Sequence, residues 1–154
     1  MSFIATANPP IAADDAQVSN DPWFPAVDAK RARDVCRIDG TVTVPRLAHA
    51  IEAAMDTVNA ELRDYQAEQL QAGVARLQDA GDGSQHGRYL RAIYAHIQAD
   101  LAEAYRDMDT TPSGDGKSER VRERIEARID EHRRALRWAI ADIKGQRRTT
   151  VELI

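Results

Sequence analysis

Apolar positions recur at helical spacing through most of the chain. Leu47, Ile51, Met55, Val58, Leu62 and Tyr65 follow one another at intervals of four, four, three, four and three, which places them on one face of an amphipathic helix. Leu70, Val74 and Leu77 extend that seam past Gly73. One long helix is therefore expected from a Thr43 cap to about Ala80, with Pro45 tolerated in its first turn and Gly73 marking a bend. A second set, Leu90, Ile93, Tyr94, Ile97, Leu101, Ala104, Tyr105 and Met108, forms the wide stripe of a central helix running from Gly87 to Asp107. A third set, Val121, Ile125, Ile129, His132, Leu136, Ile140 and Ile143, predicts a helix from a Ser118 cap to Lys144, closed by Gly145 at the C′ position. Its length would be roughly 40 Å. Ahead of these, Asp28 reads as the N-cap of a short helix through Arg37, with Ala29, Ala32, Val35 and Cys36 on a thin apolar side and the Asp39-Gly40 turn after it.

These elements predict an all-α fold, an antiparallel bundle of three long helices plus one short N-terminal helix. Residues 1–22 are small, polar and broken by Pro9, Pro10 and Pro22. They are expected to form an extended, flexible arm, because such a segment buries too little apolar surface to offset its ordering entropy. The helical domain is expected over 23–145 and an extended tail over 146–154, with a possible short strand-like piece at Thr149–Ile154. No other stretch alternates like a strand.

Composition supports the helical reading and narrows the function. The chain has 154 residues, 5% of them aromatic, and a net charge of −4. That balance argues against the strongly basic footprint of a nucleic-acid binder. Charge is uneven, however: residues 1–22 carry Asp14, Asp15 and Asp21 with no Lys or Arg, whereas 119–148 carry ten basic and six acidic residues. Cys36 is the single cysteine, which leaves no internal disulfide or cysteine-based zinc site, and it reads as a small buried hydrophobe. Without a secretory-type start or an apolar run near 20 residues, a soluble protein made in a cytoplasm is expected.

No catalytic constellation emerges. A helical di-metal site would need Glu-x-x-His on two helices, but Arg46, Gly83, Ile93 and Ile129 stand three residues before His49, His86, His96 and His132. No phosphate-cradling glycine loop or nucleophile elbow is present. Neither enzyme activity nor a cofactor or metal is expected. His132 sits on the last apolar seam, where a satisfied boundary histidine and a pH switch are both readable.

Three features look outward. Trp23 and Phe24 either cap this chain's own core or anchor it in a neighbouring subunit. Trp138 on the last helix is placed in the core or at a subunit boundary. Arg120, Arg124 and Arg128 form an i, i+4 row beside the apolar seam. That row is a solvated flank, a basic ridge facing a subunit or partner, or a weak contact to nucleic-acid backbone. Beyond Gly145 the tail is basic at Arg147 and Arg148 and apolar at Val151, Leu153 and Ile154. It is either a frayed terminus or an extended segment that docks on a partner.

Three blocks of residues resemble a known family. The first is Trp23-Phe24-Pro25-x-x-Asp28-x-Lys30-Arg31-x-Arg33. The second comprises Thr41-Val42, Arg46-Leu47-x-x-Ala50-Ile51, Asn59-Ala60-Glu61-Leu62-x-x-Tyr65, Gly73 and Arg76-Leu77. The third runs from Asp130-Glu131 and Arg134 through Arg137-Trp138-Ala139-Ile140-Ala141-x-Ile143-x-Gly145 to Arg148, Val151 and Ile154. Together they resemble the head completion proteins of temperate, contractile-tailed phages of the peduovirus type. The resemblance implies a structural virion protein at the head–tail junction, which docks on the portal after DNA packaging, retains the genome and provides a platform for the tail. Its implied partners are the portal protein, further copies of itself in a twelvefold ring, and a tail terminator or other neck protein. Contact with packaged DNA would be weak, and no membrane is involved. The alternative from the residues alone is a helical, oligomeric DNA-binding or packaging-recognition protein.

Overall fold

A computed structural model describes residues 17–109 and 116–147. The chain is mostly helical, with one small antiparallel sheet. Strand β1, Gln17–Val18, pairs with β2, Val27–Asp28, in the register Gln17 with Asp28 and Val18 with Val27. The helices are α1, Ala29–Cys36; α2, Val44–Glu61; α3, Arg63–Gln71; α4, Gln85–Asp109; and α5, Gly116–Ile143. Each strand is two residues long, too short for a sequence pattern to reveal.

Local chemistry explains the ends of α1. The Asp28 carboxylate accepts the Arg31 amide at 2.9 Å and caps the first turn. At the far end Arg37 adopts a left-handed backbone (φ 53), and the Ile38 amide bonds the Arg33 carbonyl at 3.0 Å. A side chain in that conformation costs about 1–2 kcal/mol relative to the right-handed helix. The turn is secured by the Arg33 guanidinium, which donates to the carbonyls of Asp39 (2.8 Å) and Val42 (2.9 Å).

The single helix expected from Thr43 to Ala80 is instead two helices and a turn. Leu47, Ile51, Ala54, Met55 and Val58 are buried along α2 as the seam requires. Thr43 occupies the N-cap position, but its hydroxyl makes no capping bond. At Leu62 the backbone leaves helical geometry (φ −96, ψ 1) while its side chain stays fully buried, and the chain restarts as α3. Gly73, at φ +84, ends α3 through a bond from the Val74 amide to the Gln69 carbonyl at 2.9 Å, rather than bending a longer helix. The reason lies in Trp23. Its indole nitrogen donates to the Val74 carbonyl (3.2 Å) and its own carbonyl accepts the Leu77 amide (2.9 Å), so this stretch bonds to the N-terminal segment instead of to itself. Leu70 is accordingly 51% exposed, while Leu77 is buried in a 3-10 turn, Leu77–Asp79.

The helix α4 carries the packing. Tyr89, Leu90, Ala92, Ile93, Ala95, Ile97 and Ala99 are all buried on it, on more than one side, as expected of a helix enclosed by neighbours. Its direction opposes α2, since Tyr89 bonds Asn59 near the end of α2 while Tyr105 lies under Arg46 near the start. It also opposes α5: Arg91 pairs with Asp142 and Glu103 with Arg133. The seam of α5 is only partly enclosed. Ile129, Ala139, Ile140 and Ile143 are buried, whereas Val121 is 48% exposed and Ile125 is half-buried. Helix α5 starts at Gly116, so Ser118 lies inside it rather than at its cap.

The N-terminal segment is locked onto this frame by a closed ring of hydrogen bonds. Tyr89 Oη donates to Asn59 Oδ1 at 2.7 Å, Asn59 Nδ2 to Asn20 Oδ1 at 2.9 Å, and Asn20 Nδ2 back to Tyr89 Oη at 2.9 Å. Phe24 stacks on the Tyr89 ring (centroids 5.3 Å apart), and Trp23 meets Phe24 edge-on at 4.9 Å. Each side chain in the ring both gives and takes; Asn20 is held further by the Pro25 carbonyl and the Asp21 amide, so loss of the Tyr89 hydroxyl deprives Asn59 Oδ1 of its donor and Asn20 Nδ2 of one of two acceptors. Tyr89→Phe is expected to lower the free energy of unfolding by about 1–3 kcal/mol in urea titration with an unchanged slope. Adding Asn20→Ala should then cost less than its effect alone.

Candidate interaction surfaces

Two regions combine polar chemistry with incomplete cover. The first is the C-terminal end of α5. Gly145, at φ +66, caps it: the Gln146 amide bonds the Ala141 carbonyl at 2.9 Å and the Gly145 amide faces the Asp142 carbonyl at 3.4 Å. From the side, the Gln85 amide nitrogen donates both to the Ile143 carbonyl and to the Tyr65 hydroxyl, each at 3.1 Å. Gln85 is 3% exposed, and its amide oxygen accepts from Arg88 at 3.3 Å. Arg88 in turn pairs with Asp82 at 3.0 Å. One buried amide thus fastens together α3, the start of α4 and the end of α5. The point from which the tail leaves is fixed.

The second region is a groove of about 420 Å³ at the other end of the molecule. Gln98, Leu101, Ala102 and Tyr105 of α4 make its floor. One wall is the connection from Cys36 to Val42, and the other is Ile125, Arg128 and His132 of α5. Thr41 and Tyr105 share a hydroxyl–hydroxyl bond at 3.0 Å, and the Arg46 guanidinium sits over the Tyr105 ring at 5.8 Å. Cys36 is half-buried, its thiol directed at the Tyr94 carbonyl at 3.9 Å and its pKa pushed up to about 11 by burial. A thiol held protonated at neutral pH is a poor nucleophile or metal ligand.

The sequence-predicted residues distribute unevenly over these regions. Trp23 and Phe24 are 4% and 5% exposed within their own chain. They belong to this chain's own core rather than anchoring it in a neighbour. Trp138 is half-buried on α5 with the Arg134 guanidinium 5.5 Å above its ring. Arg120, Arg124 and Arg128 are exposed, and Arg128 reaches the groove beside His132 and Ile125. Arg147 is exposed, while Arg148, Val151, Leu153 and Ile154 lie outside the described residues, as does most of the expected arm. Within the stretch expected to be arm, Gln17–Val18 pairs with β2 and Asn20 is bonded to Asn59 of α2.

Pattern reading missed Gln85, Asn20, Asn59 and Tyr89. Only Asn59 left a trace, as an amide beside the seam positions Val58 and Leu62. Tyr89 is fully buried yet falls outside the predicted stripe of its helix. Among the described residues, no group of three or more His, Cys, Asp or Glu side chains is placed to hold a metal ion.

What the fold and these surfaces define is a mostly helical protein whose polar interior groups fasten elements together. Its family follows from comparison. Residues 18–154 match the model of the phage head completion proteins, described as "Phage head completion protein (GPL)". The head completion/stabilization protein of Escherichia phage P2 is 37% identical over 152 residues, covering 95% of this chain and 88% of that protein. The chain belongs to the phage head completion protein family, as the Trp23-Phe24-Pro25 and Arg137-Trp138-Ala139 blocks suggested. It is thereby a structural component of the virion. No solved structure matches it. No described helix is long and apolar enough to cross a membrane.

Two outcomes test the geometry. Gln85→Leu leaves the Ile143 carbonyl and the Tyr65 hydroxyl without their donor, so a loss of about 1–3 kcal/mol is expected. Faster hydrogen exchange at Lys144 and Gln146 should accompany it. His132 has its pKa held below the ordinary imidazole value, chiefly by burial and further by Arg128, with Glu131 opposing. The unfolded chain therefore takes up protons first: the contribution is complete above pH about 6.5 and is lost as pH falls through the lower folded value. Melting temperature should drop on acidification across that window, and His132→Gln should flatten the slope.

Proposed function

We propose that this chain is a head–tail connector subunit, which docks on the portal vertex after DNA packaging, retains the genome and forms the platform for the tail. In this reading several copies, twelve if they follow the portal, form a ring in the neck of the virion, and a tail terminator or other neck protein binds the opposite side. The observation that carries it, beyond membership of the family, is the fixed end of α5. Gln85 and the Gly145 cap hold the helix terminus, so residues 146–154 depart from a defined point. Arg147 and Arg148 are suited to pair with acidic groups on the portal, and Val151, Leu153 and Ile154 to fill an apolar strip or add to a sheet edge. Many tails binding at once would gain avidity. Trp138 lies at a subunit boundary in this reading.

A second reading rests on the exposed row Arg120, Arg124 and Arg128: a helical oligomer that binds duplex DNA. The two separate cleanly. Deleting Arg147–Ile154 is expected to abolish binding to isolated portal rings while the helical circular-dichroism signal stays intact. Undiminished portal binding by the shortened chain would sink the role given to the tail. Tight duplex binding that weakens steeply with salt would favour the DNA reading instead.

A further inference from the structure

Some charged groups pair within this chain: Arg91 with Asp142, Arg133 with Glu103, Arg88 with Asp82, Arg76 with Asp79 and Lys30 with Asp34. Among the exposed charges that do not, two sets are of one sign and spaced along helices. Arg120, Arg124 and Arg128 are exposed on the first half of α5, and among the described residues none of them has an ion pair. Glu123 and Glu131 stand within a helical turn of the row yet form no ion pair with it. Beside the row, the edge of the α5 seam is uncovered, with Val121 48% exposed and Ile125 half-buried. Glu61, Asp64 and Glu68 form the opposite set. All three are exposed at i, i+3, i+7 spacing across α2 and α3, again without an ion pair among the described residues. The arginine row extends about 12 Å along α5, and the acidic set, which crosses the break at Leu62 between α2 and α3, equals it in number and is opposite in sign.

They cannot meet within one molecule. Gln85 joins Tyr65 of α3 to Ile143 of α5, which places the acidic row at the C-terminal end of α5. Arg124 lies roughly 28 Å back along that helix, at 1.5 Å per residue, several times the Debye length of about 8 Å. We infer that the α5 face made by Arg120, Arg124, Arg128, Val121 and Ile125 docks on the Glu61, Asp64 and Glu68 row of a second copy of this chain. The contact uses two different faces, so it is heterologous and propagates head to tail, closing into a ring where the rotation allows. Because it joins opposite ends of the subunit, the long helices run steeply across the ring axis rather than along it. Aliphatic stems of the two glutamates cover Val121 and Ile125 while their carboxylates meet the guanidiniums. The inference deepens the ring part of the connector reading and rests on it for its setting.

The test uses the full chain in four forms: wild type, Arg120→Glu/Arg124→Glu/Arg128→Glu, Glu61→Arg/Asp64→Arg/Glu68→Arg, and all six changes together. Circular dichroism checks that each is folded. Copy–copy association is read by sedimentation of the free protein at low and high salt and by copies bound per isolated portal ring. Wild-type association should weaken with salt, each triple variant should lose at least about tenfold in association constant, and the sixfold variant should recover to near wild type. Triple variants that associate like wild type, a sixfold variant that stays as defective as they are, or no wild-type association in either setting would overturn the inference. So would an Arg triple variant whose only losses are binding of a first copy to portal or binding to duplex DNA. Failure of wild type to bind portal counts against the connector reading alone, since association of the free chain still decides the interface.

Discussion

The structure depends most on the closed ring of hydrogen bonds between Asn20, Asn59 and Tyr89. It ties the segment before α1 to the end of α2 and to the first half of α4, three parts separated by tens of residues. Because Tyr89 is fully buried, its hydroxyl would carry a desolvation cost of about 1–3 kcal/mol if unpaired. The ring removes that cost and at the same time sets where Phe24 stacks and where Trp23 can reach. From Trp23 follow the bonds to Val74 and Leu77, hence the break between α3 and α4. Much of the departure from a simple set of long helices traces to this one polar junction under an aromatic stack.

A second constraint is that α4 is shared. Helices α1, α2 and α5 and the 3-10 turn all pack on it, with small alanines at 92, 95 and 99 among its buried positions. The second half of α5 completes this core, while its first half, past the reach of α2, keeps an open edge. The groove beside Tyr105 is the space that opens where the elements diverge. Its contents are a buried-edge histidine, a protonated thiol and a mixed rim of Arg128 and Asp39.

Seams of Leu, Ile and Val were legible in the sequence because helical periodicity is a property of neighbours three and four apart. Leu47 to Leu62, Leu90 to Ile97 and Ile129 to Ile143 were readable for that reason, as were the Asp28 and Gly145 caps. The same logic misled beyond Gln71, where Val74 and Leu77 keep the period while the backbone leaves it. What intervenes is Trp23, some fifty residues earlier, and no local window contains that information. Gln85, Asn20 and Asn59 escaped for a related reason: a buried amide is defined by partners distant in sequence, and its own neighbourhood looks like a polar loop. Trp23 and Phe24 were readable both as core and as anchors, since aromatics serve either role. Only the position of Tyr89 separates the two. The arginine row was visible as a row, but whether its neighbouring acids neutralise it depends on geometry that spacing alone leaves open.

The arrangement of α5 has a consequence for how the proposed roles could coexist. Its C-terminal end is clamped by Gln85 and hands over to the tail, while its arginine row lies roughly 28 Å away on the same rigid rod. Screening makes surface charges that far apart electrostatically independent, and no shared side chain links the two ends except the helix itself. On the connector reading, attachment and lateral assembly would therefore be separable in their contacts but not in their geometry. Seating the tail on a symmetric platform fixes the direction in which α5 points, and thereby the place where the next copy must lie. A subunit that associates weakly when free could then close a ring only on its platform, because the tail supplies orientation and local concentration and the charged rows need supply only the match.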